Sequence, residues 1–145
     1  KVVSKEIKDK IMTSKVNYQG QLRTCAVHLQ SNSTVITDAP VDNHGKGEAF
    51  SPTDLLATAL GSCMLTVMGI AAEKYEADLT GTTCSITKIM AENPRRVAEV
   101  QITFNFPKRD FSDKVKTVLE RAAHTCPVSK SLHPDLVETL AFNWA

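Results

Sequence analysis

Four cysteines, Cys25, Cys63, Cys84 and Cys126, are the residues of this 145-residue chain best suited to covalent chemistry. None forms a C-x-x-C pair and none lies in a compact Cys/His pattern, so a structural zinc site is not expected. Cys63 sits inside "LLATALGSCMLTVMGIAA", an almost unbroken apolar run at residues 55–72. An apolar setting alone raises a thiol pKa and leaves the group inert. A nucleophilic Cys63 therefore needs a cation, and Arg23 is the leading candidate. Its guanidinium stays charged when partly desolvated, and it can bond a thiolate and a carboxylate together. Cys126 lies in "HTCPVSK", directly before Pro127, where the start of a short helix can favour a thiolate. Inert packing and a redox pair both remain open at this point, since free cysteines are among the most buried residue types.

These side chains act only where local structure puts them. Residues 11–40 read as two or three strands. In "LRTCAVHLQ", Arg23, Cys25, Val27 and Leu29 fall on one face and Leu22, Thr24, Ala26 and His28 on the other. "TVITDAP" is a second short strand stopped by Pro40, and "VDNHGKGEAF" is a polar, glycine-bearing connection. "SPTD" predicts a helix start, with Ser51 at the N-cap, Pro52 first in the helix and Asp54 suited to the cap and the dipole. That helix is expected to reach about Tyr75, apolar round most of its circumference and so central. "LTGTTCSITKIMAE" reads as a strand, and after the "NPRR" turn "VAEVQITFNF" alternates with Ala98, Val100, Ile102, Phe104 and Phe106 inward. A helix in "SDKVKTVLERAA", a short one from Pro127 and a closing strand in "VETLAFNWA" complete an α+β order in one domain, residues 1–145. Cys25 and Cys84 fall in strand patterns and read as core residues. His124, two residues before Cys126, is placed to tune it or, as the better reading, is a helix-surface or C-cap histidine, and His28, His44 and His133 share no ligand spacing.

Composition narrows the function classes. Seventeen basic and sixteen acidic residues leave a formal net charge of +1, with no basic run to meet nucleic acid or an anionic membrane. The opening "KVVSKEIKDK" is too polar for a signal peptide. The apolar run has the minimum length of a membrane span, yet it carries Thr58, Gly61, Ser62, Thr66 and Gly69 and no flanking basic cluster. A buried helix is the expectation. Cytoplasmic thiols fit better than secreted disulfides, because a chain of this size needs no staples.

Two segments together carry a resemblance. "SPTDLLATALGSCMLTVM" followed by "AAHTCPVSKSL" resembles the OsmC/Ohr family of thiol-dependent peroxidases, above all its OsmC-like branch. The resemblance extends over most of the chain. It implies an intertwined α+β homodimer with long central helices and antiparallel sheets packed around them. It implies that Cys63 is the peroxidatic thiol and Cys126 the resolving thiol, forming a disulfide that an external dithiol, such as a lipoyl group, reduces. No metal or bound cofactor is needed, and the substrate would be an alkyl or lipid hydroperoxide. The family's arginine corresponds to Arg23. Where hydroperoxide-reducing members have Pro-Glu, this chain has Pro52-Thr53, so the supporting carboxylate falls to Glu48, upstream in a loop, rather than to Asp54. The alternative on the same fold is a redox sensor or a protein binding a small hydrophobic ligand.

Overall fold

The computed structural model describes residues 12–145, so the expectation about the polar opening lies outside the described residues. The described residues form two compact units, divided after Pro52, taken in turn.

In the first unit, β1 (Ser14–Gly20), β2 (Arg23–His28) and β3 (Thr34–Asp38) form an antiparallel sheet in the order β1-β2-β3. Gln21 and Leu22 join β1 to β2 with φ of 53° and 61°, the paired left-handed geometry whose twist matches the flanking strands. Leu22 is thus a turn residue, not the strand position suggested by its alternation with Thr24. The β2–β3 register sets Arg23 directly opposite Asp38 and Cys25 opposite Ile36. After β3 the chain folds back on itself. Gly45 N–H donates to Pro40 O (2.9 Å), Gly47 N–H to Ala39 O (3.2 Å) and Asp38 N–H to Phe50 O (3.1 Å). A Cβ at Gly45 would overlap the Ala39 carbonyl, so this tight return needs glycine there.

The second unit opens with α1 (Pro52–Glu73), followed by β4 (Thr83–Ala91), β5 (Arg96–Phe106), α2 (Asp113–Ala123), α3 (Pro127–Ser131) and β6 (Val137–Trp144). The sheet order is β4-β5-β6. β4 runs antiparallel to central β5, and β6 runs parallel to it. From Val100 onward β5 alternates as expected: Val100, Ile102, Phe104 and Phe106 are buried, while Gln101 and Asn105 are exposed. Before it a register shift skips Ala98, and Val97 rather than the expected Ala98 packs against the core. Each large apolar side chain so buried contributes on the order of 1.5–3 kcal/mol. The next row comes from β6, where Phe142 stacks on Phe104 (5.1 Å between centroids) and Trp144 on Phe106 (3.6 Å).

α1 is long and apolar enough to cross a membrane by length and composition, yet its row Ala57, Leu60, Gly61, Met64, Met68 and Ala72 is buried in this core. Helical spacing of three and four residues makes that row one face. The opposite side is not closed in the same way, and Ile70 is 58% exposed. Gly61 brings helix and sheet together: a Cβ there would lie 2.5 Å from Ile86 Cδ1 and 3.2 Å from Cys84 Sγ. α2 is capped by Ser112, whose hydroxyl accepts the Val115 N–H, and buries Leu119 and Ala123.

Candidate active site: a thiol pair

The two thiols singled out by their sequence settings meet within the second unit. Cys63, half-buried in mid-α1, lies close enough to Cys126 for the two thiols to interact, and Cys126 is fully buried at the start of α3. Both are free thiols. Cys126 is the N-cap of α3, and its sulfur accepts the Ser129 N–H at 3.3 Å. The expected pull of the helix start toward a thiolate is therefore present, but burial outweighs it and pushes the Cys126 thiol up from its ordinary value. Contact with Cys63 and the charge of Glu138 act in the same upward direction. Cys126 is held as a neutral thiol.

Ser129 serves this corner twice. Besides its N–H on the sulfur, its hydroxyl donates to Glu138 Oε2 at 2.6 Å. Glu138 occupies the inward row of β6 with Leu140, Phe142 and Trp144. The sequence pattern gave Glu138 no role. The available signal was an acid on the apolar register of a closing strand. Cys84 packs on the sheet side of α1, near Gly61, and burial pushes its thiol up as well, in keeping with a core role.

The first unit holds a separate charged cluster. Arg23 donates through Nε to Asp38 Oδ1 (2.7 Å) and through Nη2 to Asp38 Oδ2 (2.8 Å), the planar two-point pairing that a lysine cannot reproduce. Glu48 lies at the edge of this cluster, with Oε1 3.7 Å from Arg23 Nη2, and its own N–H donates to Asp38 Oδ2 at 3.1 Å. The carboxylate closest to Arg23 is thus buried Asp38, which sequence reading did not single out, and Glu48 is an exposed outer member. The Arg23 hydrogen bonds hold the Asp38 carboxyl below its ordinary range against the opposing effect of burial. Asp38 in turn holds the guanidinium more firmly protonated.

The start of α1 is fastened to the sheet by a residue that sequence reading missed. Lys88 lies on the helix-facing row of β4 with Cys84, Ile86 and Met90, and its side chain is only 17% exposed. It donates to Thr53 Oγ1 (2.9 Å) and pairs with Asp54 Oδ1 (2.8 Å). Thr53, where a Pro-Glu carboxylate was looked for, accepts a bond from an ammonium instead. A lysine on an otherwise apolar strand row was the legible sign.

Residues 45–139 match the family described as OsmC-like protein. Among solved structures, one named as an osmotic stress induced and detoxification response protein of Psychrobacter arcticus 273-4 shares 57% identity. The alignment covers 92% of this chain and 97% of that one, with a TM-score of 0.89. An OsmC-like protein from Mycoplasma pneumoniae is 15% identical over 94% of this chain and 99% of its own, with a TM-score of 0.76. An organic hydroperoxide resistance protein OsmC from Legionella pneumophila is 14% identical over 92% and 98%, with a TM-score of 0.68. The last two show the fold alone. Among curated proteins nothing matches the chain.

Proposed function

The chain belongs to the OsmC-like protein family, and from that footing we propose that it reduces organic hydroperoxides with the Cys63–Cys126 pair. The observation that carries this reading is the approach of the two thiols, one half-buried in the middle of an apolar helix and one buried at the start of α3. Cys63 as thiolate attacks the O–O bond of an alkyl or lipid hydroperoxide. The bond breaks, an alcohol leaves with one added proton, and Cys63 becomes a sulfenic acid. The Cys126 sulfur then displaces hydroxide from the Cys63 sulfur, forming the disulfide and, with the thiol proton, water. An external dithiol, for which a lipoyl group is the leading class, reduces the disulfide and becomes oxidised. No resident metal or organic cofactor enters these steps.

Arg23 is assigned to stabilise the Cys63 thiolate, with Asp38 and Glu48 orienting its guanidinium. The two-point Asp38 pairing supports that assignment by fixing the plane of the group. Apolar surface on α1, with Ile70 58% exposed, supports a homodimer in which a second copy covers the helix. A reducing compartment such as the cytoplasm suits a cycle that starts from free thiols.

The test is steady-state turnover of cumene hydroperoxide by the purified protein with a lipoyl reducing system. Turnover that Cys63→Ser abolishes is expected. Absence of turnover, with Cys63→Ser behaving as the parent does, would favour the sensor or ligand-binding alternative.

A further inference from the structure

Cys126 is fully buried, so the proton it must release when it closes a disulfide needs a receiving group within the protein. Three features of the corner supply one. The Ser129 N–H already points at the sulfur and is placed to stabilise the thiolate as it forms. The Ser129 hydroxyl is tied by a short 2.6 Å bond to the Glu138 carboxylate. That carboxylate is half-buried on a strand row otherwise made of Leu140, Phe142 and Trp144, a costly position for a charge without a task. Ser129 and Cys126 face it from the start of α3, its register partner on β5 is apolar Val100, and beyond Val100 in the same cross-strand row stands Lys88 of β4, which is paired with Asp54. The titratable group reaching the same sulfur from α1 is Cys63.

We propose that Glu138, held by Ser129, is the acid–base partner of Cys126. It takes up the Cys126 proton as that sulfur attacks Cys63, and it returns the proton when the disulfide is reduced. The balance is simple. In closure the Cys126 S–H bond breaks, the S–S bond forms, and the group leaving Cys63 departs with the electron pair of its bond to sulfur. The proton rests on the carboxylate until the leaving group or solvent takes it. Glu138 is the base of the thiol step, and Ser129, whose hydroxyl holds the carboxylate, is the residue that positions it. That the negative charge of Glu138 helps keep Cys126 protonated at rest agrees with this, since a thiol so held needs a base to ionise it.

This inference rests on the disulfide cycle, but its test does not require peroxide. In a Cys25→Ser, Cys84→Ser background, Cys63 is converted to its mixed disulfide with 5-thio-2-nitrobenzoate. Attack by Cys126 then releases the coloured thiolate, and stopped-flow absorbance reads the closure rate directly. Glu138→Gln keeps the size and hydrogen-bonding reach of the side chain but cannot hold the proton. It is expected to slow closure by roughly 10²-fold, at the lower end of a positioned base. The rate in this variant should follow hydroxide across the neutral range where the parent levels off. Glu138→Asp should recover part of the loss. Ser129→Ala keeps the N–H but cuts the link, and should slow closure in the same direction. A Glu138→Gln rate equal to or above the parent's, with the parent's pH profile, overturns the inference whatever happens to stability. Failure of the wild-type protein to form sulfenic acid with peroxide would instead count against the peroxidase reading alone.

Discussion

Gly61 and Gly69 lie eight residues apart on α1, and replacing each by alanine separates helix propensity from helix–sheet packing. Both substitutions gain about 0.8–1 kcal/mol of intrinsic helix preference. At Gly69 a Cβ meets nothing of its own chain within 4 Å, so within the single chain the gain stands, and the melting point should rise by about 2–4 °C. At Gly61 the Cβ lies 2.5 Å from Ile86 Cδ1, and rotating that methyl away leaves Ile86 Cγ1 and Cys84 Sγ each at 3.2 Å. Relief then requires α1 to move off β4, an overpacking cost of roughly 1–3 kcal/mol. The propensity terms cancel in the comparison, so Gly61→Ala should be less stable than Gly69→Ala by about 1–3 kcal/mol. Urea denaturation of both variants reads that difference directly, provided the slope with urea is unchanged. Cys63 is two residues beyond Gly61 on the displaced helix, so Gly61→Ala should also slow disulfide closure while Gly69→Ala does not. Equal stability of the two variants, or a more stable Gly61→Ala, would refute the claim that a missing side chain at Gly61 sets the approach of the cysteine helix to the sheet.

Other expectations follow from the two charged clusters and the thiols. Asp38 has its carboxyl held below the ordinary value of 3.8 by Arg23, so its contribution is complete at neutral pH, where both states are ionised. It is lost as pH falls from the unfolded value through the lower folded one. Asp38→Asn should flatten the acid limb of the stability–pH curve, and an unchanged limb in urea titrations would contradict the pairing. Lys88→Met removes the ammonium that pairs with Asp54 and donates to Thr53. A loss of about 1 kcal/mol by denaturant titration is expected, reduced because Asp54 is 42% exposed. Alkylation of the reduced protein followed by peptide mapping should label half-buried Cys63 well before buried Cys126. Faster labelling of Cys126 would contradict its placement in the core.

Much of this framework was legible from residue patterns because local rules determine it. Pro52 and Asp54 opened α1, the alternation of Val100 through Phe106 marked β5, and Cys126 before Pro127 marked the cap of α3. What escaped depended on register. Asp38 becomes the partner of Arg23 only once Gln21 and Leu22 form the turn and β2 pairs with β3, a long-range choice invisible in a strand's own alternation. Lys88 and Glu138 were hidden for a related reason. Each is a charge on the inward row of a strand, and a period-two reading treats such a residue as noise until a partner, Asp54 or Ser129, is seen beside it. The contact of Cys63 with Cys126 rested on resemblance in the sequence, and the fold supplies it by setting the start of α3 against the middle of α1.

Peptide mapping by mass spectrometry after one equivalent of cumene hydroperoxide addresses the thiol pair most directly. The expected product is a single new cross-link joining the peptides of Cys63 and Cys126, absent when either is serine, with Cys63 trapped as sulfenic acid in Cys126→Ser. Recovery of both peptides as free thiols, or oxidation confined to other cysteines, would contradict a redox role for the pair.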